Sequence, residues 1–417
     1  MVMVERRLIE TAIERARDIP VLLLEGPRTV GKSTLLRTLA GRLGGHLLDL
    51  DDLGARAAAI DDPSTMVDGP GPLLVDEYQH APELLDAIKA RLNQDGGPGQ
   101  FILTGSARHE SLPRAAQALT GRLQRLPVLP LAQSEIDGTR PRLLERLISA
   151  PSDIITPLTS GTTRFEYIDR IVRGGFPLAL AARSDRARSA WIDDYLRLTL
   201  ERDVRELSRL RQARVLPDLL ARLAGQTAQI LNSARLAEPV GVDERTARDY
   251  VRLLESVFLI RLLPAWDRTL TKRTTVRPKV HVVDSGVAAR LLRLTPAKLA
   301  RHDATSMTEF GHLLETFVVG ELLKEASWTD AVADAGHWRT KDGDEVDLVV
   351  ETYDGGVVGF EIKAASRVSG RDFRSLERLR DITAGSFTAG VVMYTGTRSY
   401  NYSPRLHVLP IDRLWTA

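Results

Sequence analysis

The chain has 417 residues, which is too long for one ordinary hydrophobic core, so its length predicts two or three domains. It contains no cysteine, which excludes disulfides and thiolate metal sites and favours a cytoplasmic protein. No apolar stretch approaches the length of a membrane span, and the amphipathic N-terminal sequence is not typical of a signal peptide, so no membrane partner is expected. The net charge of +2 is weak evidence for a polyanionic partner, because the clustering of basic residues matters more than their total.

Residues 26–33 read GPRTVGKS and match the phosphate-loop pattern G-x-x-x-x-G-K-[ST]. An apolar run at 21–24 predicts a strand before the loop, and the apolar spacing at 34–39 predicts a helix after it, which is the context that this motif requires. The two glycines allow successive N–H groups to point into one concavity at a helix N-terminus, which suits phosphate. We expect Lys32 to reach the β- and γ-phosphates and Ser33 to bind Mg²⁺. The sequence therefore predicts binding of ATP with Mg²⁺ through Gly26, Pro27, Arg28, Thr29, Val30, Gly31, Lys32, Ser33 and Thr34.

Residues 72–77 predict an apolar strand that ends in two carboxylates, Asp76 and Glu77. Alone, this pattern would describe an ordinary strand end, but after a phosphate loop it is typical of a Walker B segment. Asp76 would then hold Mg²⁺, and Glu77 would polarise the attacking water. A further strand at 100–106 ends in hydroxyls, of which Thr104 could sense the γ-phosphate or hold the water. Strands that alternate with helices predict a parallel sheet, with the ligand at the carboxyl ends of the strands.

Four segments, GPRTVGKST, LLVDEYQHAPELLDAIK, FILTGSA and LTGRLQRLPVLPLAQSE, resemble the AAA-family ATPase domain of bacterial and archaeal proteins that carry a DUF4143 region. The resemblance implies a P-loop, parallel-sheet ATPase domain of the α/β class over residues 1–136. In related ATPases an arginine completes the site of a neighbouring subunit, which would require a homo-oligomer. Arg122 is the first candidate for that role, followed by Arg114 and Arg108. A salt bridge of Arg122 within its own domain is the alternative.

Residues 137–304 are predicted to form a helical and winged-helix middle domain, because a segment rich in Pro, Ser, Thr and Gly at 137–163 marks a boundary. The segments GGFP and ERDVREL resemble signatures of the DUF4143 family. Helices at 219–223, at 233–237 and after Asp243 precede two strands at 259–263 and 279–284, an order typical of a winged helix-turn-helix. Basic residues that could contact DNA phosphates lie on the third helix and in the connecting wing: Arg245, Arg248, Arg252, Lys272, Arg273, Arg277 and Lys279. DNA is therefore the expected partner, and a winged helix that binds a protein is the alternative.

Residues 305–417 begin with a predicted helix and continue with two strands joined by a turn near Gly355. If that turn is a three-residue Asp-Gly-Gly loop, Asp347 lies opposite Lys363, and the side chains of Asp347, Glu361 and Lys363 share one face of the hairpin. Two carboxylates and a lysine on one face can bind Mg²⁺ and activate water for phosphodiester cleavage.

With Glu315 on the preceding helix, this ordered set resembles the PD-(D/E)xK nuclease superfamily. The resemblance implies a restriction-endonuclease-like α/β domain, with metal bound by Glu315, Asp347 and Glu361 and with Asp347, Glu361 and Lys363 catalytic. The same fold also serves as a scaffold without catalysis, so both alternatives are open.

The resemblances together cover nearly the whole chain and predict an ATPase of the AAA type whose turnover is coupled to DNA binding and to metal-dependent DNA cleavage. Lys32, Glu77, Thr104 and Arg122 would be its catalytic residues at the nucleotide. The alternative is a nucleotide-dependent switch that binds a protein partner through a nuclease-like scaffold. A small-molecule kinase is disfavoured, because nothing in the sequence resembles an acceptor-substrate domain.

Overall fold

The N-terminal part of the molecule is built on five parallel strands in the spatial order β2-β3-β4-β1-β5. The computed structural model describes residues 4–108, 119–204, 213–269, 273, 276–301 and 303–416. The five strands are β1 (Val21–Glu25), β2 (His46–Asp49), β3 (Leu73–Asp76), β4 (Phe101–Gly105) and β5 (Leu123–Pro127). Because the strands are parallel, their carboxyl ends lie at one edge of the sheet. The predicted parallel-sheet α/β domain is confirmed.

Helices cover both faces of this sheet: α1 (Leu8–Asp18), α2 (Lys32–Leu43), α3 (Leu53–Asp61), α4 (Pro63–Val67) and α5 (Glu83–Gln94). Successive side chains of a strand point to opposite faces. Accordingly, Leu22 and Leu24 of β1 lie in one core cluster with residues of α1 and α2. Val21 and Leu23 lie in a second cluster with residues of α5. Burial on both faces explains why β1 reads as an unbroken apolar run in the sequence.

The middle part is mainly helical. Its helices are α6 (Gln133–Ile136), α7 (Leu143–Ser149), α8 (Arg164–Arg173), α9 (Pro177–Leu180), α10 (Asp185–Leu198), α11 (Leu216–Gly225), α12 (Ser233–Ala237) and α13 (Glu244–Ser256). Three antiparallel strands, β6 (Gln229–Ile230), β7 (Ile260–Leu263) and β8 (Lys279–Val282), form a sheet in the order β6-β8-β7. Asp243 caps α13 by accepting a hydrogen bond from the Thr246 N–H at 2.9 Å. Three helices and two strands thus follow one another in the order that the sequence predicts.

The connection between β7 and β8 is packed against the C-terminal part instead of projecting as a free wing. Ala265 pairs with His337, and the Trp266 N–H donates to the His337 carbonyl at 2.6 Å. Gly336 permits this close approach, because a Cβ there would lie 2.6 Å from the Pro264 carbonyl oxygen. The described residues of this connection are therefore held against the C-terminal part, and DNA contact by its basic residues stays a prediction.

The C-terminal part has a six-stranded mixed sheet in the order β13-β14-β12-β11-β10-β9. Its strands are β9 (Val332–Arg339), β10 (Glu345–Thr352), β11 (Val357–Lys363), β12 (Phe387–Tyr394), β13 (Tyr400–Ser403) and β14 (Leu406–Pro410). The remaining helices are α14 (Ser285–Leu291), α15 (Pro296–Leu299), α16 (Ala304–Ser327) and α17 (Arg374–Thr383). Single turns of 3₁₀-helix cover Tyr78–His80, Pro151–Ile154, Ala213–Val215, Glu238–Val240, Gly370–Phe373, Ala384–Ser386 and Ile411–Leu414, and a π-helical turn covers Thr199–Asp203.

The hairpin of β10 and β11 differs from the predicted register by two residues. Leu348 pairs with Phe360, and this register sets Asp347 opposite Glu361 instead of Lys363. The loop is Tyr-Asp-Gly and not Asp-Gly-Gly, because the Thr352 N–H pairs with the Gly356 carbonyl at 2.9 Å. The Asp354 carboxylate closes the loop by accepting a hydrogen bond from the Gly356 N–H at 3.3 Å. Since a shift of two residues preserves alternation, the predicted side chains still share one face.

One continuous core cluster runs through all three parts of the chain. It contains Leu22 of β1, Leu223 of α11, Val318 of α16 and Val358 of β11. The 24-residue helix α16 is buried over much of its length and connects the middle part with the C-terminal sheet. No helix in the described ranges is both long and apolar enough to cross a membrane.

Candidate functional site

The phosphate loop turns sharply between β1 and α2. Gly26 lies so close to the neighbouring chain that a Cβ would come within 2.1 Å of the Val128 carbonyl oxygen. Gly31 has φ +96°, a left-handed conformation that favours glycine, and it caps α2. The first hydrogen bond of α2 runs from the Leu35 N–H to the Gly31 carbonyl, so the N–H groups of the first turn have no partner within the helix. These N–H groups at the N-terminus of a 12-residue helix form an anion site.

Lys32 lies between this loop and the acidic strand ends, and its side chain is almost fully buried. The Nζ atom donates hydrogen bonds to the carbonyls of Gly26 and Pro27, at 3.1 and 2.9 Å. It also lies 3.8 Å from a carboxylate oxygen of Glu77. The Lys32 ammonium therefore contacts both the loop and an acid. Oxygens of a bound phosphate would compete with the loop carbonyls for its hydrogen bonds.

Thr104 joins the two acids at the end of β3. Its hydroxyl donates to Asp76 Oδ1 and accepts the backbone N–H of Glu77 at 2.9 Å. Thr104 is completely buried, so these bonds have no competition from solvent. Its position orients the acids, and its predicted role in sensing the γ-phosphate or holding the water stays a prediction.

Glu77 adopts a left-handed backbone conformation, with φ 54° and ψ 51°, that turns its side chain away from the strand path. Burial by itself raises the pKa of Glu77, but the Lys32 ammonium and the Gln79 amide together lower the pKa below its usual range. Gln79 donates a hydrogen bond to Glu77 and another to Ser106 Oγ at 3.0 Å. Gln79 was not among the predicted site residues, although its position two residues after Glu77 could have indicated a contact with that acid.

A cavity of about 290 Å³ lies beside the phosphate loop, next to Gly31 and Thr34. Its walls are mainly apolar, and the lining residues from the middle part include Arg173, Pro177 and Leu180. A larger cavity, of about 720 Å³, lies at the opposite edge of the sheet near the start of β2, β3 and β4, away from the loop. Of these two cavities, only the smaller is lined by residues of the phosphate loop.

The GGFP segment explains how the middle part reaches this cavity. A Cβ at Gly175 would lie 2.3 Å from the Leu131 carbonyl oxygen, and a Cβ at Gly174 would lie 2.2 Å from Asp284 Oδ1. The Asp284 carboxylate accepts the Gly175 N–H at 2.7 Å. Gly175 thus allows the chain to pass close to the ATPase part, whereas Gly174 leaves room for the Asp284 carboxylate. Pro177 begins helix α9 at the cavity wall. The cavity-lining residues of the middle part were not predicted, although the glycine pair before Pro177 could have indicated a close approach of the chain there.

The three candidate arginines have different positions. Arg122 precedes β5, at the edge of the sheet opposite the phosphate loop, where its side chain donates to Asn93 at 2.8 Å. It therefore lies away from its own nucleotide site, and its action on a neighbouring subunit stays a prediction. Arg108 forms an ion pair with Glu255 at 3.1 Å and donates its backbone N–H to the Ser256 carbonyl at 2.9 Å. Arg114 lies outside the described residues.

The predicted DNA-contacting residues do not form one basic strip. Helix α13 carries three arginines and three acidic residues, so its face has no net positive charge. Arg245 is exposed, while Arg248 pairs with Glu244 and Arg252 with Asp249, each at 3.2 Å. Two of the wing residues are engaged elsewhere: Arg273 binds Asp334 at 3.0 Å and Glu351 at 2.5 Å, and Lys279 is buried. Arg277 precedes β8 on the exposed surface, and Lys272 lies outside the described residues.

The predicted nuclease-like residues converge, but around a lysine. Lys279 Nζ lies 2.7 Å from Glu315, 2.6 Å from Glu345 and 3.0 Å from Asp347. Burial lowers the pKa of this ammonium, but the three carboxylates outweigh burial and hold the pKa well above its usual range. Burial and the Asp347 charge raise the pKa of Glu315 to about 8.

Glu361 and Lys363 pair with each other at 3.0 Å beside this cluster. Burial, together with the charge of Asp347, raises the pKa of Glu361 well above its ordinary value. In the ranges that the structure describes, no group of three or more histidine or acidic side chains is arranged to hold a metal ion. The carboxylate oxygens of Glu315 and Asp347 are directed at the Lys279 ammonium, so the metal site at Glu315, Asp347 and Glu361 stays a prediction.

Comparisons with known proteins find family models that match three ranges of the chain. Residues 18–137 match a family model described as an AAA domain. The first third of the chain is thus similar to AAA domains. Residues 164–298 match the model described as a domain of unknown function, DUF8612, and residues 310–414 match a second such model, DUF4143. The DUF4143 match thus lies on the C-terminal part of the chain, whereas the signatures GGFP and ERDVREL were predicted to place it on the middle part.

Relatives similar over the full length of the chain are known from mycobacteria. The uncharacterized proteins Rv2008c of Mycobacterium tuberculosis and Mb2031c of Mycobacterium bovis are each 27% identical, over 99% of this chain and 85% of the relative. Among solved structures, the Walker-type ATPase PABY2304 of Pyrococcus abyssi is 16% identical with a TM-score of 0.41, over 69% of this chain and 96% of that one. The signal transduction ATPase PH0952 of Pyrococcus horikoshii is 12% identical with a TM-score of 0.28, over 79% of this chain and 48% of that one.

Proposed function

We propose that this protein binds and hydrolyses ATP with Mg²⁺ at the phosphate loop and that turnover changes the relation between its ATPase part and its middle part. The proposal rests on the contact between the phosphate loop and the acids after β3, because Lys32 Nζ lies 3.8 Å from a carboxylate oxygen of Glu77. Loop N–H groups would bind the phosphates, and Lys32 would exchange its bonds to loop carbonyls for bonds to the β- and γ-phosphates.

The oxygen ligands that this chain offers at the site suit Mg²⁺. Ser33 lies in the first turn of α2, which follows β1, and Asp76 ends β3, two strands away in the same parallel sheet, so a hydroxyl and a carboxylate lie at the same edge. Mg²⁺, when bound, would neutralise charge that develops on the transferred phosphoryl group. Thr104 would keep the Asp76 carboxylate in place through its hydrogen bond.

Glu77 would orient the attacking water. Its lowered pKa keeps it ionised at neutral pH, and the Gln79 amide holds its orientation. A carboxylate fixed in this way can accept a hydrogen bond from water without first losing a proton. This assigns phosphate binding to Lys32 and water activation to Glu77.

The route from the nucleotide to the middle part has two contacts. The base would lie in the 290 Å³ cavity, against Pro177 and Leu180 of the middle part. Arg108, which follows the end of β4, holds Glu255 at the end of α13, and Glu255 also accepts the Leu262 N–H at 3.1 Å. A change at the strand ends would therefore reach α13 and β7 through this ion pair and through the hydrogen bond from the Arg108 N–H to the Ser256 carbonyl.

Steady-state ATPase assays with nucleotide-binding measurements test this proposal. We expect Lys32→Ala to abolish ATP binding or turnover and Glu77→Gln to keep binding while losing turnover. Lys89→Ala, on the exposed face of α5, is the matched control and should behave like the parent protein. Normal hydrolysis by the Lys32 variant would reject the site, and equal loss of binding and turnover in the Glu77 variant would reject its role with water.

DNA binding by the middle part is a second candidate function. It is favoured by the exposure of Arg245, Arg248 and Arg252 on one helix. A duplex-DNA titration at several salt concentrations separates it from a protein-binding switch, because each phosphate contact increases the salt dependence. A steep slope that is reduced when the three arginines are replaced together would support DNA, and no binding at low salt would support the protein-binding switch.

A further inference from the structure

Lys279 is a charged residue at the start of a buried strand, and its position follows from strand alternation. In β8, Val280 and Val282 point into the main core, so Lys279 and His281 point to the other side. That side faces helix α16, where His281 Nδ1 lies 3.3 Å from Thr316 Oγ1. The lysine side chain is only 1% exposed.

The Lys279 ammonium donates hydrogen bonds to Glu315 and Asp347 and forms an ion pair with Glu345. An ammonium has three N–H bonds, and the carboxylates of Glu315, Glu345 and Asp347 lie between 2.6 and 3.0 Å from Nζ. The second oxygen of Asp347 accepts the Ile362 N–H at 2.9 Å. The acids come from α16 and β10 in the C-terminal part, whereas the lysine comes from the middle part, so the cluster connects the two.

We propose that Lys279 is the built-in cation of this carboxylate cluster and occupies the place that a divalent metal ion would take, so that the C-terminal part is a metal-free scaffold fixed to the middle part. A metal ion that entered would have to displace a buried ammonium and leave it without a partner, which is strongly unfavourable. The packing of the connection 264–269 against β9 keeps β8 beside the cluster. The inference is independent of the ATPase activity.

The wild-type protein provides the first test. Mn²⁺ is titrated calorimetrically into nucleotide-free wild type and into Asp347→Asn, which removes the charge of one carboxylate at nearly constant volume. We expect the two titrations to be the same, because wild type has no metal site at Asp347. A site with a Kd below about 1 mM that is present in wild type and lost in the variant would overturn the proposal. Mg²⁺-dependent DNA cleavage that is lost in the same variant would also overturn it.

Removal of the ammonium provides the second test. In Lys279→Met the carboxylates lose their cation, so we expect a lower Tm in EDTA and a Tm that rises with the Mn²⁺ concentration. Lys324→Met is the matched control, because Lys324 is also buried and pairs with a single acid, Glu321, at 2.6 Å. It should lose stability without recovery by Mn²⁺. A Lys279 variant as stable as wild type in EDTA would refute the role of the ammonium, and if this variant does not fold, the wild-type titration decides.

Discussion

The hydroxyl of Thr104 offers a sharp test of how the acids at the nucleotide site are held. Replacement by valine keeps the shape of the side chain and removes only its hydrogen bonds. The fully buried side chain loses two hydrogen bonds, one that it donates to Asp76 and one that it accepts from the Glu77 N–H. An unsatisfied buried polar group costs about 1–3 kcal/mol.

If that cost falls on the arrangement of the acids in the transition state, kcat should decrease about 10- to 100-fold, since about 1.4 kcal/mol corresponds to a factor of ten. ATP affinity should change little, because Thr104 lines neither the phosphate loop nor the base cavity. The assays are phosphate release at saturating ATP and nucleotide binding by fluorescence, with thermal denaturation to confirm folding.

Thr104→Ser is the control, because it restores the hydroxyl and loses only a methyl group. It should recover most of the activity that the valine variant loses. An unchanged kcat in Thr104→Val would refute the reasoning, and so would a serine variant as impaired as the valine variant, since the methyl group and not the hydroxyl would then matter.

Three further predictions follow from the described contacts. Leu180→Trp should fill the base cavity and weaken ATP binding about tenfold or more, whereas Leu178→Trp on the exposed side of the same helix should not, as measured by equilibrium binding. Arg108→Met removes the ion pair with Glu255, so the hydrogen exchange of α13 should respond less to ATP than in wild type, while a response equal to wild type would contradict the route. Burial raises the pKa of Glu325 from 4.5 to about 7. Protonated Glu325 therefore makes its full contribution to the free energy of unfolding below pH 4.5, and this contribution is lost as the pH rises through 7. The difference corresponds to about 3 kcal/mol, and urea unfolding should show that Glu325→Gln removes this pH dependence and is more stable than wild type at pH 8.

The phosphate loop could be predicted from the sequence because its geometry is local. Within eight residues, Gly26 and Gly31 permit the turn, and Lys32 begins the helix that follows. Asp76 and Glu77 could be predicted for the same reason, since they end an apolar run whose parallel pairing sets their edge of the sheet. The acids of the C-terminal hairpin were predicted on the correct face, because alternation survives a register error of two residues.

Partners distant in the chain were decided only by tertiary packing. Nothing local distinguishes Lys279 from a solvent-exposed wing lysine, yet it binds Asp347, which is 68 residues away, once β8 packs against α16. The cavity beside the phosphate loop likewise exists only where the GGFP segment passes close to the ATPase part. Short motifs specify backbone geometry through hydrogen bonds among near neighbours. The partner of a buried charge depends instead on which elements the core brings together, and this is why the sequence predicted a triphosphate site but not the lysine that fills the carboxylate cluster.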